Sequence, residues 1–177
     1  MAEVSARDGS GPKMKDPLLQ IEPALAPYGF RRVRDGDRGC LCNAILKRQT
    51  FNTNRAVAFV WVDTFPDDLV PVLKRVKKEV AFRCGFFPFL YGIGTQLILV
   101  VASSVPEKVE LDRYVDKFDN QWSIIQGLYL LQADSGLVAS ARTWGQLVTG
   151  KYEDVILAAL GQTGDKPAPP IAGANPG

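Results

Sequence analysis

A chain of 177 residues with 46% hydrophobic and 10% aromatic side chains carries enough apolar material for one packed domain, a unit that usually spans about 100–200 residues. Its 21 basic and 19 acidic groups leave a net charge of +2, too small to drive the whole molecule onto nucleic acid or an anionic membrane. It contains no histidine, which excludes Ser-His-Asp and Cys-His machinery, HExxH zinc helices and Cys2His2 sites, and leaves carboxylate, lysine, tyrosine or thiolate chemistry.

Residues 1–15 are small, polar and charged without hydrophobic periodicity, and residues 161–177 carry Pro167, Pro169, Pro170 and Pro176 among glycines and alanines. Both read as disordered tails around one globular domain at 16–160. Within it, Asp16-Pro17 is a helix start, an N-cap carboxylate before a residue whose missing N–H costs nothing there. Leu18, Ile21 and Leu25, with Leu19, line one face. Pro23 predicts a kink or restart, and Pro27 and Gly29 end the helix. Phe30 to Arg34 and Gly39 to Arg48 read as strands flanking Asp35-Gly36, a pair suited to positive φ and a tight hairpin turn. After a polar turn at Thr50 to Asn54, the stretch Ala56 to Val62 is apolar on both alternating faces and reads as a central strand.

From Asp67 the period becomes helical, with Leu69, Val72, Leu73, Val76 and Val80 on one side and Lys74, Arg75, Lys77 and Lys78 on the other. Asp67 and Asp68 sit at its positive dipole end, where carboxylates are favourable. The Gly-punctuated aromatic stretch Cys84 to Gly94 leads into a second central strand, Thr95 to Ala102. Glu107 to Asn120 carries a weak helical pattern through Val109, Leu111, Val115 and Phe118. Ser123 to Gln132 is a long apolar strand with Gly127 inside it, and Asp134-Ser135-Gly136 turns it into Leu137 to Ala141. Tyr152, Val155, Ile156, Ala159 and Leu160 close the domain with a short amphipathic helix. This order predicts a mixed α/β (α+β) domain, a sheet of about five or six strands with helices on its faces, opening α-β-β-β-α-β.

The longest apolar run, Leu97 to Ala102, is far below the roughly 20 residues of a membrane span, and the N-terminus lacks an apolar signal core. With only Cys40, Cys42 and Cys84, and the first two placed to share one face of a strand, the thiols read as small buried groups in a soluble cytoplasmic protein. A zinc site would need further ligands, so no metal and no cofactor is expected. Tyr91-Gly-Ile-Gly94 precedes a strand rather than opening a helix, so it reads as a turn and not as a phosphate-binding loop.

The opening element order resembles that of restriction-endonuclease-like folds, with no matching sequence motif. That resemblance implies converging carboxylates, magnesium and a lysine, for which the chain offers Glu22, Asp35, Asp63 and Lys47. Asp35 is as well explained by its turn and Asp63 by the start of a loop. The basic residues are more suggestive. Arg31, Arg32, Arg34, Arg38, Lys47, Arg48 and Arg55 face only Asp35 and Asp37 over the same stretch, and the next helix adds Lys74 and Lys78 beside Arg75 and Lys77. Gathered on one side, with Phe51 for stacking, they would attract phosphate or carboxylate. Trp61 reads as core and Trp144 as a candidate edge or partner contact. The expected function is therefore non-catalytic binding, to a protein partner through a basic surface that also suits nucleic acid. A metal-dependent nuclease or phosphodiesterase is the alternative, and a small-molecule pocket walled by Phe86 to Tyr91 a third reading.

Overall fold

The structure, a computed structural model, describes residues 16–33, 39–49, 53–85, 92–106, 108–115, 123–142 and 146–161. Both expected tails, apart from Gly161, lie outside these residues. So do the Asp35-Gly36 turn, the Phe86–Tyr91 wall, Phe51, Trp122 and Trp144.

Helix α1 (Pro17–Leu25) starts as its cap dictates, with Asp16 Oδ1 accepting the Leu18 N–H at 2.9 Å. Leu18, Ile21 and Leu25 are buried, whereas Leu19 is 71% exposed and belongs to the opposite side. Pro23 does not stop the helix. It lies on the exposed side and removes only one backbone bond, so the turns continue to Leu25 and tighten into a 3-10 turn at Ala26–Tyr28. Gly29, at φ 83°, then takes the left-handed conformation that ends the segment.

Six strands follow in one sheet whose spatial order equals their chain order: β1 (Arg31–Arg32), β2 (Ala44–Gln49), β3 (Thr53–Val62), β4 (Gly92–Val101), β5 (Ser123–Gln132) and β6 (Gly136–Arg142). The β3–β4 and β4–β5 pairs are parallel and the others antiparallel. The expected mixed α/β sheet is thus present, and β3 and β4 are interior strands buried on both faces.

The β1–β2 connection differs from the tight turn expected of it. Arg31 pairs with Lys47, Arg32 with Leu46, and the Val33 N–H donates to the Ile45 carbonyl, which centres the connection near Gly39 rather than Asp35-Gly36. Residues 39–42 leave the sheet because α2 (Val70–Arg83) supplies other partners for their backbone, and Asn43 rejoins it by donating its N–H to the Phe59 carbonyl of β3. Glu79 accepts the Leu41 N–H at 2.8 Å and the Cys42 N–H at 3.2 Å, Arg83 donates to the Cys42 carbonyl, and Arg75 to that of Gly39. Cys40 and Cys42 therefore do not share a strand face: Cys40 is exposed and Cys42 buried.

Two apolar cores sandwich the sheet. On one face Leu69, Leu73, Val76 and Val80 pack on Ala58, Val60, Leu97, Leu99, Leu128 and Leu130. On the other, α1 and α3 (Gln146–Ala159) cover Leu46, Val57, Phe59, Ile98, Val100, Tyr129 and Leu131. The helix expected over 107–120 is reduced, among the described residues, to a 3-10 turn at Leu111–Tyr114. Leu111 and Val115 drop into the α2-side core, and burying those two side chains needs no complete amphipathic helix. Trp61, read as core, is half-buried and stacks on Phe59 with ring centroids 6.0 Å apart. No helix among the described residues is long and apolar enough to cross a membrane.

Burial pushes the Cys42 thiol up to about 12, with the Glu79 carboxylate adding to the effect, and it pushes Cys84 up to about 11. Because both folded values lie above those of the unfolded chain, the stabilisation is complete below pH of about 8.5 and fades as the pH rises through them. The unfolding free energy from urea titrations is expected to fall steadily above about pH 9, by up to roughly 1.4 kcal/mol per pH unit for each buried thiol, and a Cys42→Ala/Cys84→Ala protein should lose that slope. In the native state a thiol reagent at neutral pH should label Cys40 alone.

Candidate functional site

The alternation of β1 and β2 sorts their basic side chains to opposite faces. Arg31 and Lys47, directly opposite each other, lie on the α2 face, where the Lys47 ammonium donates to the Cys84 carbonyl at the C-terminal end of α2 at 2.6 Å. Arg32 points to the α1 face, its guanidinium 3.9 Å from the Glu22 carboxylate. Around this edge Gly29, Arg31, Arg32, Val33, Lys47 and Gln49 line an open groove of about 460 Å³. Arg31 and Arg32 are exposed and Lys47 is half-buried beside them, so two guanidiniums meet solvent along one short stretch of sheet.

The remaining candidate cations go elsewhere. Arg48 and Arg55, opposite each other across β2 and β3, both sit against the Tyr152 ring, their guanidinium carbons 5.3 and 5.0 Å from its centroid. Tyr28 and Phe30 meet the same ring edge-on at 5.8 and 5.2 Å. Burial, then the neighbouring Arg48 charge, lowers the proton affinity of Arg55. These two arginines therefore anchor α3 to the sheet. Lys74 and Lys78 are exposed on the outer side of α2. Arg34 and Arg38 lie outside the described residues. Of the nine candidate basic residues, the seven that are described thus fall into a groove of three, an internal aromatic contact of two and a solvated helix face of two.

The carboxylates suggested for metal-dependent cleavage are not brought together. Glu22 sits by Arg32, in the row of Leu46 and Val57, whereas Asp63 follows the end of β3, six residues further along and about 20 Å away at the rise of a strand. Lys47 is on the α2 face with Cys84, and Asp35 lies outside the described residues. Among the described residues no group of three or more His, Cys, Asp or Glu side chains is spaced to hold a metal ion.

Two polar clusters escaped the sequence. Glu79 and Arg83, one helical turn apart and 3.0 Å from each other, form a nearly buried pair that grips residues 41 and 42. In the sequence Glu79 is one more charge on a basic helix, and its partners lie 38 and 37 residues away. The second cluster lies beneath α3. Arg142 of β6 bonds Glu153 at 2.9 Å, beside Tyr129 and the buried Gln96. Burial raises the Glu153 carboxyl above its ordinary value, and the Arg142 hydrogen bond and charge pull it partway back. Burial likewise raises the Tyr129 phenol. A Cβ on Gly127 would collide with the Gln96 amide, so glycine is the residue that lets this side chain lie flat on β5. Gly127 inside an apolar strand was the one sequence signal of this cluster.

No family model matches the chain, and no curated protein or solved structure matches it. Roles for its residues rest on their own geometry.

Proposed function

We propose that this protein works by binding, and that its docking surface is the groove along β1 and β2, occupied by an acidic segment of a partner protein. The observation that supports this reading is that Arg31, Arg32 and Lys47 all line one open groove at the rim of the sheet, Arg31 and Lys47 from the α2 face and Arg32 from the α1 face. Carboxylates would meet two exposed guanidiniums, whose fork geometry favours bidentate pairing, while Val33 and Gln49 contact the intervening chain. The separation of Glu22 from Asp63 gives the nuclease alternative less support. Three unpaired cysteines suit a reducing compartment such as the cytoplasm.

The test is fluorescence anisotropy with a labelled glutamate-rich peptide and with short single- and double-stranded DNA and RNA, at low and physiological salt with magnesium present. Salt-sensitive peptide binding that weakens about tenfold or more in Arg31→Glu/Arg32→Glu is expected. Both residues are exposed and Arg32 gives up only a solvent-screened pair with Glu22, so the thermal midpoint should fall by no more than about 4 °C. Equal affinity of the double variant would remove the groove from consideration. Preference for oligonucleotides would replace the acidic protein by nucleic acid, and their cleavage would restore the nuclease.

A further inference from the structure

Glu22 stands where its helix does not favour it. Its carbonyl accepts the N–H of Ala26, the C-cap residue, so its side chain belongs to the last turn of α1, at the negative end of the helix dipole. α1 contains no lysine or arginine, so no cation three or four residues away on the helix compensates the carboxylate. The cation it meets is Arg32, across the rim of the sheet, with 3.9 Å between guanidinium nitrogen and carboxylate oxygen. The two side chains are 42% and 37% exposed, so water screens the pair and it adds little to the stability of the fold.

The same Arg32 guanidinium lines the open groove. A planar fork pairs fully with one carboxylate at a time, so an internal and an incoming carboxylate compete for it. The other two cations of the groove are placed differently. Arg31 and Lys47 lie on the α2 face, on the opposite side of the β1–β2 pair from Glu22, and the Lys47 ammonium is held by the Cys84 carbonyl. Glu22 therefore bears on one arm of the groove and leaves the other to the ligand.

We propose that Glu22 is a built-in competitor for the Arg32 arm: an acidic segment meets Arg31 and Lys47 directly and engages Arg32 only by displacing the Glu22 carboxylate. This inference rests on the reading of the groove as an acidic docking surface. Displacement is easy, because 3.9 Å is longer than the roughly 2.7–2.9 Å of a charge-assisted hydrogen bond and the freed carboxylate turns into water. The competitor holds affinity below what the groove would reach without it, and so discriminates against weakly acidic chains.

Fluorescence anisotropy with the labelled glutamate-rich peptide at physiological salt tests it on the full chain, comparing the wild type, Glu22→Gln, Arg32→Gln and the double variant. Glu22→Gln is expected to bind about two- to fivefold more tightly, the size of a screened surface pair, and to have no effect once Arg32→Gln is in place. Its thermal midpoint should stay within about 4 °C of the wild type. Unchanged or weaker binding by Glu22→Gln would overturn the proposal. So would an equal gain with and without Arg32, which is what the loss of a distant negative charge produces. Either result leaves the groove in place provided that the wild type binds the peptide and Arg31→Glu/Arg32→Glu does not. Absence of binding by both the wild type and Glu22→Gln removes the groove reading and this inference together.

Discussion

Glu79→Ala is expected to lower the stability of the fold by about 3–5 kcal/mol, the usual cost of removing one member of a buried ion pair. Glu79 and Arg83 have side chains only 11% and 7% exposed. Truncating the acid leaves the Arg83 guanidinium buried without its carboxylate and deprives the Leu41 and Cys42 N–H groups of their acceptor. For a chain of this size the thermal midpoint should drop by roughly 6–20 °C. Glu79→Gln retains an acceptor oxygen but no charge, so its loss should be intermediate. Denaturant unfolding of the three proteins measures the effect. A difference below about 0.5 kcal/mol between wild type and Glu79→Ala would mean that Leu41 and Cys42 do not depend on this carboxylate for their place on α2.

Arg142→Gln is expected to cost about 2–3 kcal/mol at neutral pH and much less in mild acid. The cost falls below that of a fully buried pair because Arg142 is 32% exposed, whereas Glu153 is only 6% exposed. Burial already raises the Glu153 carboxyl above its ordinary value in the intact protein, and losing the Arg142 hydrogen bond and charge raises it further. A folded value above the unfolded one means that the stabilisation is complete below the unfolded value, about 4.3, and disappears as the pH rises through the folded value. The deficit of the variant is therefore largest near pH 7.5 and shrinks as Glu153 takes up a proton. Urea midpoints of both proteins at about pH 7.5 and pH 5 give the comparison, and an equal deficit at the two values would show that the charge on Glu153 is not what Arg142 compensates.

Both substitutions act on contacts that no local pattern announces. The N-cap at Asp16, the alternation from Ala56 to Val62, the 3.6-residue period of Leu73, Val76 and Val80 and the turn at Asp134 to Gly136 are readable because each depends on residues within a few positions. From them the sequence alone determined a mixed α/β domain, the interior place of β3 and the apolar side of α2. The absence of histidine likewise limits the available chemistry.

Tertiary structure decided the rest. The β1–β2 register was not legible because Asp35-Gly36 offers a local turn, while the competing partner of the connection, Glu79, lies on a helix that follows β3. Val109, Leu111 and Val115 could be spaced for a helix, yet only the shape of the α2-side core determined that a 3-10 turn places two of them. The arginines show the same limit. Alternation assigns neighbouring strand residues to opposite faces, but whether a face is covered by a helix or open to solvent depends on elements far along the chain. Arg48 and Arg55 ended against Tyr152, about a hundred residues later, while Arg31, Arg32 and Lys47 were left around an open groove. Local sequence sets side-chain direction, and only packing sets what that side chain meets.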